Sequence, residues 1–220
     1  MARLSIAGVV IEQQVKDPEG KPTQVTLYYS ENQLRTDHPE SGQTTILDFK
    51  GDRIMLIDHP SKSYFLMKLS EWEKEMANQL RKNNPAIRPR ERVITVRRTR
   101  ETAKINGFNT EKIQVLADGE LIEEHWMTKD IDIGEANRVM ERATQQFSEE
   151  FRSELKEGRE IHRKLEPYGF SILLKDYTLT SGLQAIDILE VKKIEKKEVK
   201  TEVFLPPTGY QRMVPQAPKQ

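Results

Sequence analysis

The segment from Thr44 to Leu69 constrains this chain more than any other part of it. Three apolar runs, 44–49, 53–58 and 63–69, are joined only by Lys50-Gly51-Asp52 and by His59-Pro60-Ser61-Lys62. A parallel crossover needs a dozen or more residues, usually a helix, so connections this short leave an antiparallel meander. The same logic extends upstream. Leu4 to Val15 is apolar and rich in branched residues, and Gln24 to Tyr29 alternates with Val25, Leu27 and Tyr29 on one side. The polar cluster Asp17 to Pro22 between them predicts a hairpin.

At Ser70 the apolar period changes from two to nearly four. Ser70-Glu71-Trp72-Glu73 has capping-box spacing, and Trp72, Met76 and Leu80 then form one stripe on a helix over 70–82. After a basic, proline-broken loop, strands are predicted at 93–105, 110–116 and 120–128, the last pair joined through Asp118-Gly119. Asp132 and Glu135 repeat the capping spacing and open the longest predicted helix, 132–157. Met140, Phe147 and Phe151 lie on its apolar face. Gly158 weakens that helix and Pro167-Tyr168-Gly169 ends it; two further strands follow, 170–179 and 183–194. About ten antiparallel strands and two helices, with no linker between them, predict a single α+β, mostly β domain over 1–210. It is a curved antiparallel sheet with both helices on its concave face. Residues 211–220 read as a disordered tail.

Composition narrows the function classes. Lys and Arg number 35 against 35 Asp and Glu, so the formal net charge is zero and gives no reason to expect nucleic acid as a partner. No apolar run approaches the roughly 18 residues of a transmembrane helix. Cysteine is absent, which removes disulfides, thiolate zinc sites and cysteine nucleophiles together. The four histidines, His38, His59, His125 and His162, have no metal-ligand spacing, and His38 and His59 read as solvated turn residues. No phosphate loop, dinucleotide fingerprint or nucleophile elbow occurs. The expectation is therefore a non-enzymatic protein without cofactor or metal.

Two features remain as candidate sites. The stripes Trp72/Met76/Leu80 and Met140/Phe147/Phe151 pack a core, and over a hollow sheet they would also line an apolar cavity. The second feature is the basic stretch 81–104, with Arg97, Arg98 and Arg100 at its centre. It is either a patch for phosphates, lipid headgroups or an acidic partner, or a charged strand edge that discourages pairing.

The order of short motifs resembles the LolA/LolB superfamily, and within it an uncharacterised branch of exported bacterial domains. Leu34 to Pro39, then Asp48 to Asp58, then Lys62-Ser63-Tyr64, is similar to the central meander of that superfamily. Gly107 to Lys112, Trp126-Met127-Thr128-Lys129 and the ending Phe204-Leu205-Pro206-Pro207-Thr208-Gly209-Tyr210 add to the resemblance, which spans roughly residues 4–210. It implies an incomplete barrel with a helical lid, a periplasmic or otherwise extracytoplasmic setting with the leader removed, and a lipid, acyl chain or other apolar ligand in the concave face. Here the chain opens on a strand where LolA has a helix, and His38 stands where LolA carries an arginine before its proline. The resemblance therefore implies architecture and an exported setting rather than lipoprotein carriage. The alternative is an interaction module that docks an envelope protein through its charged surface.

Overall fold

In the computed structural model of the chain, the described residues are 5–16, 20–83, 92–131, 156–177 and 186–214, together with 133, 134, 136, 138 and 139. Six strands open the fold: β1 (Ser5–Lys16), β2 (Pro22–Ser30), β3 (Gln33–His38), β4 (Gln43–Asp48), β5 (Arg53–Asp58) and β6 (Ser63–Lys68). Helix α1 (Leu69–Asn83) follows, then β7 (Ile94–Ile105), β8 (Phe108–Ala117) and β9 (Glu120–Thr128). Helix α2 (Lys156–Leu165) precedes β10 (Phe170–Asp176), β11 (Ile186–Lys200) and β12 (Gln211–Met213). All twelve strands form one open, curved sheet in the order β12-β6-β5-β4-β3-β2-β1-β11-β10-β9-β8-β7. The sheet is antiparallel except at one edge, where β12 runs parallel to β6. The predicted meander is present, and two strands exceed the expected ten. One is β3; the other, β12, occupies the start of the expected tail, and residues 215–220 lie outside the described residues.

The pairing registers explain why β1 reads as a continuous apolar run. One row crosses six strands through Val9, Tyr29, Leu34, Leu47, Ile54 and Met67. The adjacent row, on the opposite face, carries Val10, Tyr28, Arg35, Ile46 and Met55. Side chains alternate between faces with a period of two, so Val9, Val10 and Ile11 can all be buried only if both faces are covered. They are, at 2%, 3% and 1% exposure.

One face is covered by helices. Val9, Ile11, Tyr29 and Ile54 share a core cluster with Leu69 and Trp72 of α1 and with Ile133, Ala136 and Val139. The stretch 133–139 is helical at its described positions 134, 136, 138 and 139, as expected for the start of the long helix; residues 140–155 lie outside the described residues. The other face is covered by the C-terminal chain. Val10, Ile46 and Ile57 pack with Val199, Phe204 and Tyr210, brought there by a 3-10 turn at Thr201–Phe204. A third cluster seats Ile161 and Leu165 of α2 on Ile94, Ile113, Val115 and Met127 of β7, β8 and β9.

One local expectation is corrected and another is met. Helix α1 begins at Leu69, so Ser70 lies in its first turn and does not cap it. Its N–H and hydroxyl instead donate to the Asp52 carboxylate, at 3.1 and 3.0 Å, from the β4–β5 turn. A carboxylate at a helix N-terminus meets both the free amides and the positive end of the dipole. Beyond α2, Pro167 and Gly169 do end the helix, through a 3-10 turn. Gly169 has φ +102°, and a Cβ there would stand 2.0 Å from the carbonyl oxygen of Thr128, so only glycine fits.

Candidate functional site

The helix-bearing face holds the first predicted site. Trp72 and Met76 are half-buried rather than enclosed. The Leu80 side chain and Met140, Phe147 and Phe151 lie outside the described residues. Around the buried centre of this face, Leu27, Leu34, Leu47, Leu56 and Met67 are also only partly buried. Two polar residues are buried beside this apolar cluster, Glu73 of α1 at 2% exposure and Tyr29 at 7%, and burial pushes the Tyr29 hydroxyl up to about 12.

The three arginines of the second predicted site do not form one patch. Arg97 pairs in register with Gln114 and Arg98 with Ile113, so they point to opposite faces of β7. Both Nε and Nη2 of Arg97 donate to Gln114 Oε1, at 2.9 and 2.6 Å. Arg98 forms an ion pair with Glu111. Arg100 sits within the register shift between Arg98 and Thr102, at φ +66°, and is exposed. Its charge, like that of Arg98, acts on Glu111.

Arg98 instead belongs to a hollow of about 590 Å³ between the β7–β8 hairpin and the turn after α2. Lys104 and Lys129 line it as well, Ile113 and Met127 form an apolar floor, and Tyr168 stands at its side. Glu111 is held below the usual carboxylate range, chiefly by the hydrogen bond from Arg98, with Lys129 and Arg100 adding in the same direction. Asp130 accepts from the backbone N–H and the side-chain amide of Asn109, at 2.7 and 3.0 Å. A second hollow, of about 320 Å³, lies by Gly8, Arg138 and Lys196.

Inside the sheet, β9 carries a polar pair. Glu124, 7% exposed, accepts from the Tyr177 hydroxyl at 2.6 Å and the Gln114 amide at 2.7 Å. Burial pushes its carboxyl up, but these hydrogen bonds and nearby Lys112 outweigh that and hold it below the usual range. His125, also 7% exposed, lies between Glu123 (2.8 Å from Nε2) and Ser171 (3.1 Å from Nδ1). Serine, imidazole and carboxylate in a row also occur in hydrolases. Here Ser171 Oγ also lies 3.3 Å from the Leu173 carbonyl, and none of the three residues lines either hollow. The row satisfies a buried ring beside the β10 bulge. Sequence spacing does not display it, because Ser171 reaches His125 only through strand pairing.

On the opposite face, His59 is not the solvated turn residue expected. Its Nε2 lies 3.0 Å from Thr44 Oγ1 and its Nδ1 lies 2.9 Å from the Tyr210 hydroxyl. Thr44 donates to Asp37 at 2.6 Å, Arg35 Nε donates to the same oxygen at 2.7 Å, and Arg35 Nη1 donates to the Val203 carbonyl at 2.6 Å. This chain of bonds fastens the C-terminal segment to β3, β4 and the β5–β6 turn. Among the described residues, no group of three or more His, Asp or Glu is placed to hold a metal ion. Nor is any described helix long and apolar enough to cross a membrane.

These motifs lie within one family match. The family model described as "Domain of unknown function (DUF4412)" matches residues 8–210, nearly the whole described sheet. The chain belongs to the DUF4412 family. No curated protein matches the sequence. Among solved structures, an uncharacterized conserved protein from Thermus thermophilus superposes with TM-score 0.51 at 8% identity, covering 94% of this chain and 89% of that one. At that identity the likeness is one of fold alone. PNGF-II, in two crystal forms, gives TM-scores of 0.37 and 0.35 at 10% identity; this chain covers 31% and 29% of those chains.

Proposed function

We propose that this DUF4412 protein is a LolA-like, exported binding protein that holds a lipid, acyl chain or other apolar ligand against the helix-bearing face of its sheet. The observation that supports this reading is the row Val9, Tyr29, Leu34, Leu47, Ile54 and Met67, which meets α1 with several members only partly buried. Apolar surface left partly wet beneath a helix is what an apolar ligand would cover, at about 25 cal/mol per Å² removed from water. No catalytic step is assigned to the site. Titration with a fluorescent fatty acid tests the reading. The unaltered chain should enhance the probe's emission saturably, and Met76→Glu, at a half-buried position of α1, should weaken binding at least tenfold. Unchanged probe emission would remove the proposal.

The second reading, a module that docks an envelope protein through its charged surface, rests on the exposed Arg100. It ranks lower because Arg97 and Arg98 are engaged with Gln114 and Glu111. It would show as partner capture that weakens with salt, since exposed charges are screened over roughly 8 Å at physiological ionic strength.

A further inference from the structure

We infer that the hollow between the β7–β8 hairpin and the turn after α2 is a second ligand site, one for an anionic amphiphile: a negative head on a short apolar chain. Three cations line it, Arg98, Lys104 and Lys129, with two carboxylates, Glu111 and Asp130. The carboxylates are already engaged, Glu111 by Arg98 and Asp130 by Asn109. Among the described residues, no carboxylate pairs with Lys104 or Lys129. Their two exposed ammonium groups therefore stand at one mouth without a direct ion pair, the three cations outnumber the two carboxylates of the lining, and Arg100 adds to the positive field around Glu111. A bound anion relieves that repulsion.

The floor supplies the other half of the specificity. Ala103 and Tyr168, half-buried, and Pro167, exposed, supply its accessible apolar surface above Ile113 and Met127, which are buried against α2, and the volume of the hollow falls within the roughly 300–1,000 Å³ of small-molecule sites. A fully hydrated inorganic ion makes no use of such a floor, whereas an alkyl chain does. The site is distinct from the apolar face under α1 and does not rest on the reading of that face.

Isothermal calorimetry on the full chain at low ionic strength tests the assignment with three probes: octyl phosphate below its micellar concentration, inorganic phosphate and octyl glucoside. Octyl phosphate should bind at least tenfold more tightly than either of the others. The double change Lys104→Glu, Lys129→Glu should weaken it at least tenfold, while Lys50→Glu, in the β4–β5 turn, and Trp72→Ala should leave it unchanged. Both lysines are exposed, so the double variant should keep the melting curve of the parent. Equal binding of inorganic phosphate would leave the apolar floor without a role, and equal binding of octyl glucoside would leave the cations without one. Either result overturns the proposal, as does octyl phosphate binding that is absent or indifferent to the lysine changes. Loss of binding on Trp72→Ala would move the site to the helix-bearing face, which overturns this inference and leaves the proposed function standing.

Discussion

The two halves of the sheet are built differently. From β1–β2 to β5–β6, five successive ladders run without a single register shift. From β1–β11 to β7–β8, every one of the five ladders is shifted. The regular half keeps strict alternation, so its side chains sort into an apolar row under the helix and a second row under the C-terminal segment. The shifted half turns side chains out of alternation, as bulges do. It holds the buried ionisable strand residues Glu124 and His125, the left-handed Arg100 inside a ladder and the cation-lined hollow. Both halves pack a core and both bury polar groups; what accompanies the irregular pairing is the pair of buried ionisable strand residues and the cation-lined hollow.

The largest expected effect asks whether the halves are one folding unit. Ile54, in the regular half, and Ile113, in the shifted half, are both 0% exposed. Truncating either to alanine should cost about 3–5 kcal/mol through lost burial and a residual cavity. Because β1 pairs with strands of both halves, both variants should lower the midpoint of one common transition in chemical denaturation. Two transitions, each answering to one variant, would show that the halves unfold separately.

Two glycines isolate the close approach at the end of α2. Gly119 and Gly169 both have positive φ, +89° and +102°, but a Cβ at Gly119 meets nothing within 4 Å. Gly119→Ala should cost about 1 kcal/mol, the backbone cost alone. Gly169→Ala adds a collision with the Thr128 carbonyl and should cost roughly 3 kcal/mol, loosening the turn that carries Tyr168. Equal losses would show that the collision is relieved cheaply.

A smaller effect sharpens the electrostatic side of the comparison. The Glu124 carboxyl lies below its ordinary value in the folded chain, so the folded state favours the ionised form. Its contribution to stability is present above the unfolded-state value of about 4.3 and is lost as pH falls through the lower folded value. Glu124→Gln should therefore cost roughly 1–2 kcal/mol near neutral pH, and the difference from the parent should shrink towards pH 3. Denaturation at pH 7, 5 and 3 measures it. A difference independent of pH would mean that Tyr177 and Gln114 bind the amide as well as the carboxylate.

The regular half is the legible one. The meander strands appear within a residue of where alternation and short turns put them, because nothing in that half departs from period two. The exception is β3, whose run Gln33-Leu34-Arg35-Thr36-Asp37-His38 holds one aliphatic residue. It forms because Arg35 and Asp37 are satisfied by each other, by Thr44 and by the Val203 carbonyl, partners that sequence spacing does not display. The short β12 strand is hidden for the same reason, since its ladder partner is β6, far earlier in the chain. In the shifted half the strand runs are readable but the registers are not. Three arginines close in sequence read as one patch, yet alternation turns Arg97 away from Arg98, and Arg100 sits in the register shift. Lys129 stands in the Trp126 to Lys129 motif and Lys104 in the basic stretch, but only the β8–β9 and β7–β8 pairings bring them to one hollow.

Binding of an apolar ligand by this DUF4412 protein is tested most directly by native mass spectrometry of the chain after gentle purification from its own host. The measurement detects retained mass whatever the ligand is. A population heavier than the 25.6 kDa polypeptide by a discrete, organic-extractable mass is expected, lost on collisional activation and diminished in Met76→Glu. A single species at the polypeptide mass, with no lipid recovered on extraction, would contradict it.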